Sequence, residues 1–342
     1  MQSWVNKLWY EGHGLRFVLW PLSVLFAGIT ALRRLLYASG VLKQHTLPVP
    51  VIIVGNITVG GSGKTPTVIY LIELLRQQGY KPGVISRGYG VNIKGVRSVR
   101  YGDNASQVGD EPAMIVARTG VPMVVGSKRI EAAKQLLSDF DVDIIISDDG
   151  LQHYALARDI ELIILDGERR LGNGMLLPAG PLREGRWRTS SVDHVIVNGG
   201  TAIGTEQQMT LMASQWHLVA ANSHKVSKTH AEVKSAAQPM QEQPVVAMAG
   251  IGNPNRFFDT LSNLGFTLDK TQAFDDHSAY TEADLSTLAG KRPLLMTEKD
   301  AVKCRDFAKD NWWYLAVDAK LSPSFDQQLM ASVKQSVIEK KR

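Results

Sequence analysis

Cysteine is almost absent: Cys304 is the single one in 342 residues. One thiol cannot close an intrachain disulfide, and such a composition fits a reducing compartment. No nucleophile signature surrounds it, which leaves packing as its expected role. Internal repeats and low-complexity tracts are also missing, which argues against solenoids, propellers and disordered tails. Neither sign of charge dominates, since 38 basic residues face 33 acidic ones for a net +5. That excess is not spread along a groove and no nucleic-acid-binding motif appears, so no nucleic acid is expected as a partner. Nothing points to an obligatory protein partner. With 44% apolar and 21% charged residues the chain reads as globular, and its length favours two domains.

What is present begins with a loop. Residues 55 to 67 read G-N-I-T-V-G-G-S-G-K-T-P-T, between the apolar run Val51 to Val54 and the helical pattern Val68 to Leu75. Strand, glycine-rich loop and helix in that order make a phosphate cradle: unblocked backbone N–H donors, backed by the positive end of the helix. Nucleotide phosphate is therefore expected on Thr58, Val59, Gly60, Gly61, Ser62, Gly63, Lys64 and Thr65. Lys64 would reach the β- and γ-phosphates of ATP and the Thr65 hydroxyl the Mg²⁺ that bridges them. Pro66 suits the first helical turn, where a missing N–H costs nothing. The pattern G-x-x-x-x-G-K-[ST] asks for glycine at position 58, where this chain has Thr58; Gly60 and Gly61 are expected to supply the freedom instead. The competing reading is an ordinary glycine-rich turn.

The front end is the second feature. Residues 1 to 50 hold five basic side chains, Lys7, Arg16, Arg33, Arg34 and Lys43, against Glu11 alone, a net +4. Among them lie Trp4, Trp9, Trp20, Phe17, Phe26 and Tyr37. The run from Phe17 to Leu32 carries no charge. As a helix its sixteen residues would reach about 24 Å, short of a bilayer core of roughly 30 Å. Lying in the interface suits it better, with aromatic rings and arginines at the level of anionic headgroups. A buried core helix and a secretory signal compete with this; export would carry the phosphate loop away from ATP.

From residue 50 onward short apolar segments alternate with helical ones, the pattern of a parallel sheet covered by helices. Strands are expected at 51–54, 83–86, 122–125, 142–147, 160–165 and 194–197, and helices at 66–78 and 127–138. The division expected is a membrane-associating segment at 1–45, a P-loop domain at 46–204, a linker with a possible β-ribbon at 205–243, and a smaller α/β domain at 244–342. In the last, a strand from Val245, a helix at 257–264 and strands at 293–297 and 312–317 are read. The fold class is α/β, a P-loop NTPase-like, mostly parallel sheet.

Several polar groups could carry chemistry. Asp148 and Asp149 end an apolar strand downstream of the loop, where open α/β sheets bind ligands and a Mg²⁺-organising carboxylate belongs. On an extended backbone the two would point opposite ways, so one would face the metal; the competing reading is a turn, since D-D-G is good turn chemistry. Asp110 and Glu111 sit in G-D-E-P, either as a loop carboxylate able to take an alcohol proton or as a helix start. His277, among Asp275 and Asp276, could assist a base or be a surface hydrogen-bonding residue. Arg87, His153, Arg183 and Glu184 are further candidates without an assigned role.

Together these segments resemble one family. V-G-N-I-T-V-G-G-S-G-K-T-P, S-R-G-Y-G, V-G-D-E-P, D-D-G-L-Q-H, R-D-I-E-L-I-I-L-D, L-L-P-A-G-P-L-R-E, F-D-D-H-S-A-Y and T-E-K-D-A-V-K, spanning residues 54 to 303, are similar to those of the tetraacyldisaccharide 4'-kinases of lipid A synthesis. The resemblance implies transfer of the ATP γ-phosphoryl group to the 4'-hydroxyl of a lipid-linked glucosamine disaccharide 1-phosphate, at the cytoplasmic face of the inner membrane. It also implies that Lys64 and Thr65 hold phosphate and metal, that Asp148 or Asp149 organises Mg²⁺, and that Asp110 is the base with His277 as its partner. Leu151 stands where the family commonly has Phe, and Ser278 where a second His is common. The rival reading is a membrane-associated NTP-driven switch or targeting factor, although the N-K-x-D signature of guanine readers is missing.

Overall fold

The computed structural model describes residues 2–220, 239 and 241–341. In chain order its elements are α1 (Gln2–Tyr10), α2 (Arg16–Ala38), β1 (Val51–Gly55), α3 (Lys64–Gln77), β2 (Pro82–Ser86), β3 (Val96–Val99), α4 (Ala105–Val108), α5 (Asp110–Thr119), β4 (Met123–Gly126), α6 (Arg129–Asp139), β5 (Ile144–Asp148), β6 (Ile160–Asp166), β7 (His194–Asn198) and β8 (Gln207–Leu218). After the segment at 221–238, which lies outside the described residues, come β9 (Val245–Ala249), α7 (Pro254–Asn263), β10 (Leu268–Ala273), α8 (Glu282–Ala289), β11 (Leu294–Thr297), α9 (Glu298–Cys304), β12 (Trp312–Lys320) and α10 (Pro323–Lys341).

All described strands join one sheet in the order β10-β9-β11-β12-β8-β7-β6-β1-β5-β2-β4-β3. β1 runs parallel between β5 and β6, as an all-buried strand of five apolar and glycine residues must when helices cover both faces. On one face α3 and α5 pack through Val68, Leu71, Ile72 and Ile115; on the other α6 packs through Ala132, Ala133 and Leu136. The second half repeats the plan, with α8 and α9 over one face and α7 over the other. Cys304 is buried in the former cluster.

Two features differ from the sequence expectation. Gln207–Leu218, expected in a linker, is a twelve-residue strand whose start pairs parallel with β7 and whose remainder pairs antiparallel with β12. It joins the two halves into one sheet, a single long strand in place of the possible small β-ribbon. The C-terminal helix α10, expected with the smaller unit, folds back onto the first half: Phe325, Leu329 and Val333 join the cluster of α3 and β1, and Lys340 pairs with Asp159 at 3.0 Å. β3 and β10 were unread because they are short or polar strands at the two edges of the sheet.

At the front, α2 continues past the uncharged run to 23 residues, about 34 Å at 1.5 Å per residue, because Arg33 and Arg34 are good helix formers. By length and composition it could cross a membrane, and only 6% of its most apolar window is buried, which disposes of the buried-core reading. Phe17, Val18, Trp20, Leu25, Ile29 and Leu32 are all more than half exposed. One face touches protein: the Ser23 hydroxyl donates to the Leu176 carbonyl at 2.8 Å and accepts from the Ala179 amide at 3.0 Å.

Candidate active site

The phosphate loop leaves β1 and enters α3 beneath a cavity of about 540 Å³, whose walls come from both halves of the sheet. Thr58 does not need to be glycine. It is buried in an isolated antiparallel bridge with Leu182, and the next amide, that of Val59, donates to the Pro181 carbonyl at 2.9 Å. The segment L-L-P-A-G-P-L-R-E therefore braces the loop, and the cavity wall starts at Val59 and continues through Gly60, Gly61, Ser62, Gly63, Lys64 and Thr65. Gly60 and Gly63 carry φ values of 113° and 96°, where a Cβ is strongly disfavoured. Gly61 has a different reason to be small: Gly252, from the turn between β9 and α7, lies against it.

Asp148 closes β5 and is fully buried, its Oδ2 accepting from the Ser86 hydroxyl at 3.0 Å. Its Oδ1 has no hydrogen-bond partner. Burial, with Glu111 and Asp149 adding repulsion, pushes the carboxyl up to about 7. Asp149 leaves the extended conformation at φ 47°, so the alternation expected for an extended pair fails. Both carboxylates consequently face the cavity. Although burial opposes it, Lys64 at 3.6 Å and Arg183 at 3.2 Å hold the Asp149 carboxyl below its ordinary range.

G-D-E-P is a helix start: α5 opens at Asp110 after Gly109, whose φ of 97° turns the chain. Across the cleft His277, itself at φ 63°, brings Nδ1 to 3.1 Å from the Asp110 Oδ2 and Nε2 to 3.8 Å from Asp276. Its ring also leans on Tyr89, of S-R-G-Y-G, at a centroid distance of 5.1 Å. Residues 167 positions apart in sequence thus meet through the two halves. His277 lines the cavity; Asp110 stands at its Nδ1 side.

Of the other candidates, Arg87 and Arg183 line the cavity, whereas Glu184 accepts from Gln152 at 3.1 Å and from the Tyr154 hydroxyl. The His153 carbonyl caps Arg158, and burial, helped by Arg129 and Arg158, lowers the imidazole to about 4. Sequence reading missed Asn198, Arg256 and Lys299. The Asn198 amide donates to the Ser62 carbonyl at 3.2 Å and its oxygen accepts from Arg256, of α7, at 3.1 Å. Lys299 donates to Glu111 at 3.2 Å and Asp276 at 2.9 Å. Asn198 at the carboxyl end of β7 was a findable signal, but nothing in the sequence paired it with Arg256.

A P-loop opposite two strand-end aspartates, with an acid–imidazole pair supplied across a cleft, defines a phosphotransferase of the P-loop α/β class. The family model described as tetraacyldisaccharide-1-P 4'-kinase matches residues 15–334. The chain is 75% identical over 342 residues to the tetraacyldisaccharide 4'-kinase of Shewanella piezotolerans, covering all of both chains. It is 70% identical over 340 residues to that of Shewanella halifaxensis, covering 99% of this chain and all of the relative. The structure of LpxK from Aquifex aeolicus in complex with ATP superposes with a TM-score of 0.75 at 29% identity, over 93% of this chain and 99% of that one. The chain belongs to the tetraacyldisaccharide-1-phosphate 4'-kinase family. It is an ATP-dependent lipid A disaccharide 4'-kinase, and the switch or targeting-factor reading is not favoured.

Proposed function

We propose that the loop from Val59 to Thr65 holds the ATP triphosphate, that Asp110 and His277 act together on the sugar 4'-hydroxyl, and that the β9–β12 half closes the site. The observation that carries this reading is the 3.1 Å contact between Asp110 Oδ2 and Nδ1 of His277, whose residue lines the cavity that the P-loop floors. Loop amides and Lys64 would neutralise charge on the transferring group, while the pair takes the hydroxyl proton as a unit. Arg256 forms no ion pair among the described residues and faces the same cavity, which suits it to nucleotide phosphate. Water competes with the sugar as acceptor, and the approach of Gly252 to Gly61 would exclude it.

Residues present fit a magnesium ion. Asp148 has a buried, unpartnered Oδ1 and a carboxyl raised by burial, both of which a cation would relieve. Among the described residues no three His, Cys, Asp or Glu side chains group closely enough to hold a metal unaided. That donor set suits Mg²⁺, which keeps waters and takes one or two carboxylates plus substrate phosphates. Thr65, Asp148 and Asp149 would hold it, and its chemistry there is to offset charge on the β- and γ-oxygens.

The substrate is a lipid, and α2 is the element that would meet its membrane, at the cytoplasmic face of the inner membrane. Ser23, the eighth of the 23 residues of α2, is tied to the 176–179 loop, so a spanning helix would draw the globular part into hydrocarbon. A peripheral or monotopic helix lying in the interface is the consistent arrangement.

Mass spectrometry of a disaccharide 1-phosphate incubated with ATP, Mg²⁺ and the protein tests the reading: one phosphate must appear on the distal sugar. Asp110→Ala should lower kcat by about 10² to 10⁴ with little change in ATP affinity. An unchanged kcat would remove the pair from the mechanism.

A further inference from the structure

The segment T-E-K-D-A-V-K is not accounted for by nucleotide or metal, yet it builds a buried polar cluster behind the site. Thr297 caps α9, accepting from the Asp300 amide at 3.2 Å. The Asp300 carboxylate has no exposed surface and gathers donors from three directions: the Gly250 amide at 3.0 Å, the Tyr280 hydroxyl at 2.8 Å and the Thr297 hydroxyl at 2.6 Å. One turn along α9, Lys303 places its ammonium 3.1 Å from Asp300 Oδ1, bonded to the Ser278 carbonyl at 3.2 Å and over the Tyr280 ring at 4.5 Å. Its side chain is only 7% exposed.

The same ammonium lies 3.9 Å from Asp110 Oδ2, the oxygen that faces His277 Nδ1. At that distance it is an ion contact and not a hydrogen bond, so its effect is to fix where a negative oxygen rests. Asp110 comes from the first half; Lys303, His277 and Asp300 come from the second. The ammonium therefore stands between buried Asp300 and the carboxylate across the cleft.

We propose that Lys303 is a positioning residue for phosphoryl transfer: clamped by Asp300, it holds the Asp110 carboxylate in register with His277 once the second half has closed. This rests on the Asp110–His277 reading above. A misplacement near 1 Å at a reacting group can cost on the order of 10²-fold, so removing the clamp is expected to lower kcat by about 10- to 100-fold.

The test is a double-mutant cycle on the full-length protein, with kcat from disaccharide phosphorylation and ATP affinity from equilibrium binding. Lys303→Met should lower kcat at unchanged ATP affinity, and should add no further loss in the Asp110→Ala background. Losses that multiply, or a lower melting temperature with kcat intact, would make Lys303 structural only. Should Lys303→Met fail to fold, Lys303→Gln, which keeps a donor for Asp300 without the charge, is read in the same way; failure of both to fold overturns the proposal. If Asp110→Ala itself leaves kcat unchanged, the parent reading falls. If Asp110→Ala is impaired while Lys303→Met matches wild type, only this inference falls.

Discussion

Gly252→Ala probes whether the second half must touch the phosphate loop. An ideal Cβ at Gly252 would lie 2.8 Å from the Gly61 nitrogen, closer than real Cβ contacts come, and a tight 3.2 Å from its Cα. Gly252 has no left-handed φ, so alanine adds no backbone strain and the collision is the whole perturbation. Both partners are main chain and cannot swing aside; the turn before α7 must retreat by several tenths of an ångström. Overpacking of this kind costs about 1–3 kcal/mol, which at about 1.4 kcal/mol per tenfold is roughly 5- to 150-fold in the population of the close arrangement. That loss should appear in kcat/KM for disaccharide and ATP. The melting temperature should move little, because Gly252 belongs to none of the apolar core clusters. Gly28→Ala is the control, since a Cβ there meets nothing within 4 Å. A Gly252→Ala enzyme with wild-type kcat/KM and an unshifted Gly61 contact would refute the idea that turnover needs this approach.

Two further outcomes follow from the same geometry. His153, lowered to about 4 by burial and neighbouring arginines, should make stability pH-dependent. The folded state holds it neutral, so its contribution is complete above pH 6.5 and is lost as pH falls from about 6.5 to 4; for a partly exposed group, screening leaves roughly 1–2 kcal/mol. His153→Gln should flatten denaturant-midpoint curves over that window, and an unaltered slope would assign the dependence elsewhere. Leu25→Lys with Ile29→Lys on α2, both side chains more than half exposed, should weaken sedimentation with anionic vesicles by about 100-fold while leaving the melting temperature unchanged. Unaltered vesicle binding would show that this face of the helix does not enter the lipid.

Local patterns were legible in the chain because they are written in neighbouring residues. The strand–loop–helix of the phosphate cradle needs only an apolar run, glycines at the left-handed positions Gly60 and Gly63, and a lysine placed to follow them. The parallel core could be read for the same reason, since strands buried on both faces must be continuously apolar, as β1 and β9 are. The uncharged stretch of α2 announced its apolar surface directly. Tertiary structure alone decided what meets across long separations. D-D-G is good turn chemistry, but only the structure shows that a φ of 47° turns Asp149 to the same cavity as Asp148. Nothing near Arg256 says that it bonds Asn198, or that α10 crosses back to cover the first half. Those outcomes depend on how β8 joins two half-sheets, a pairing carried by backbone hydrogen bonds that side-chain pattern records only weakly. The 3.1 Å meeting of His277 and Asp110 exists because that pairing sets one half over the other.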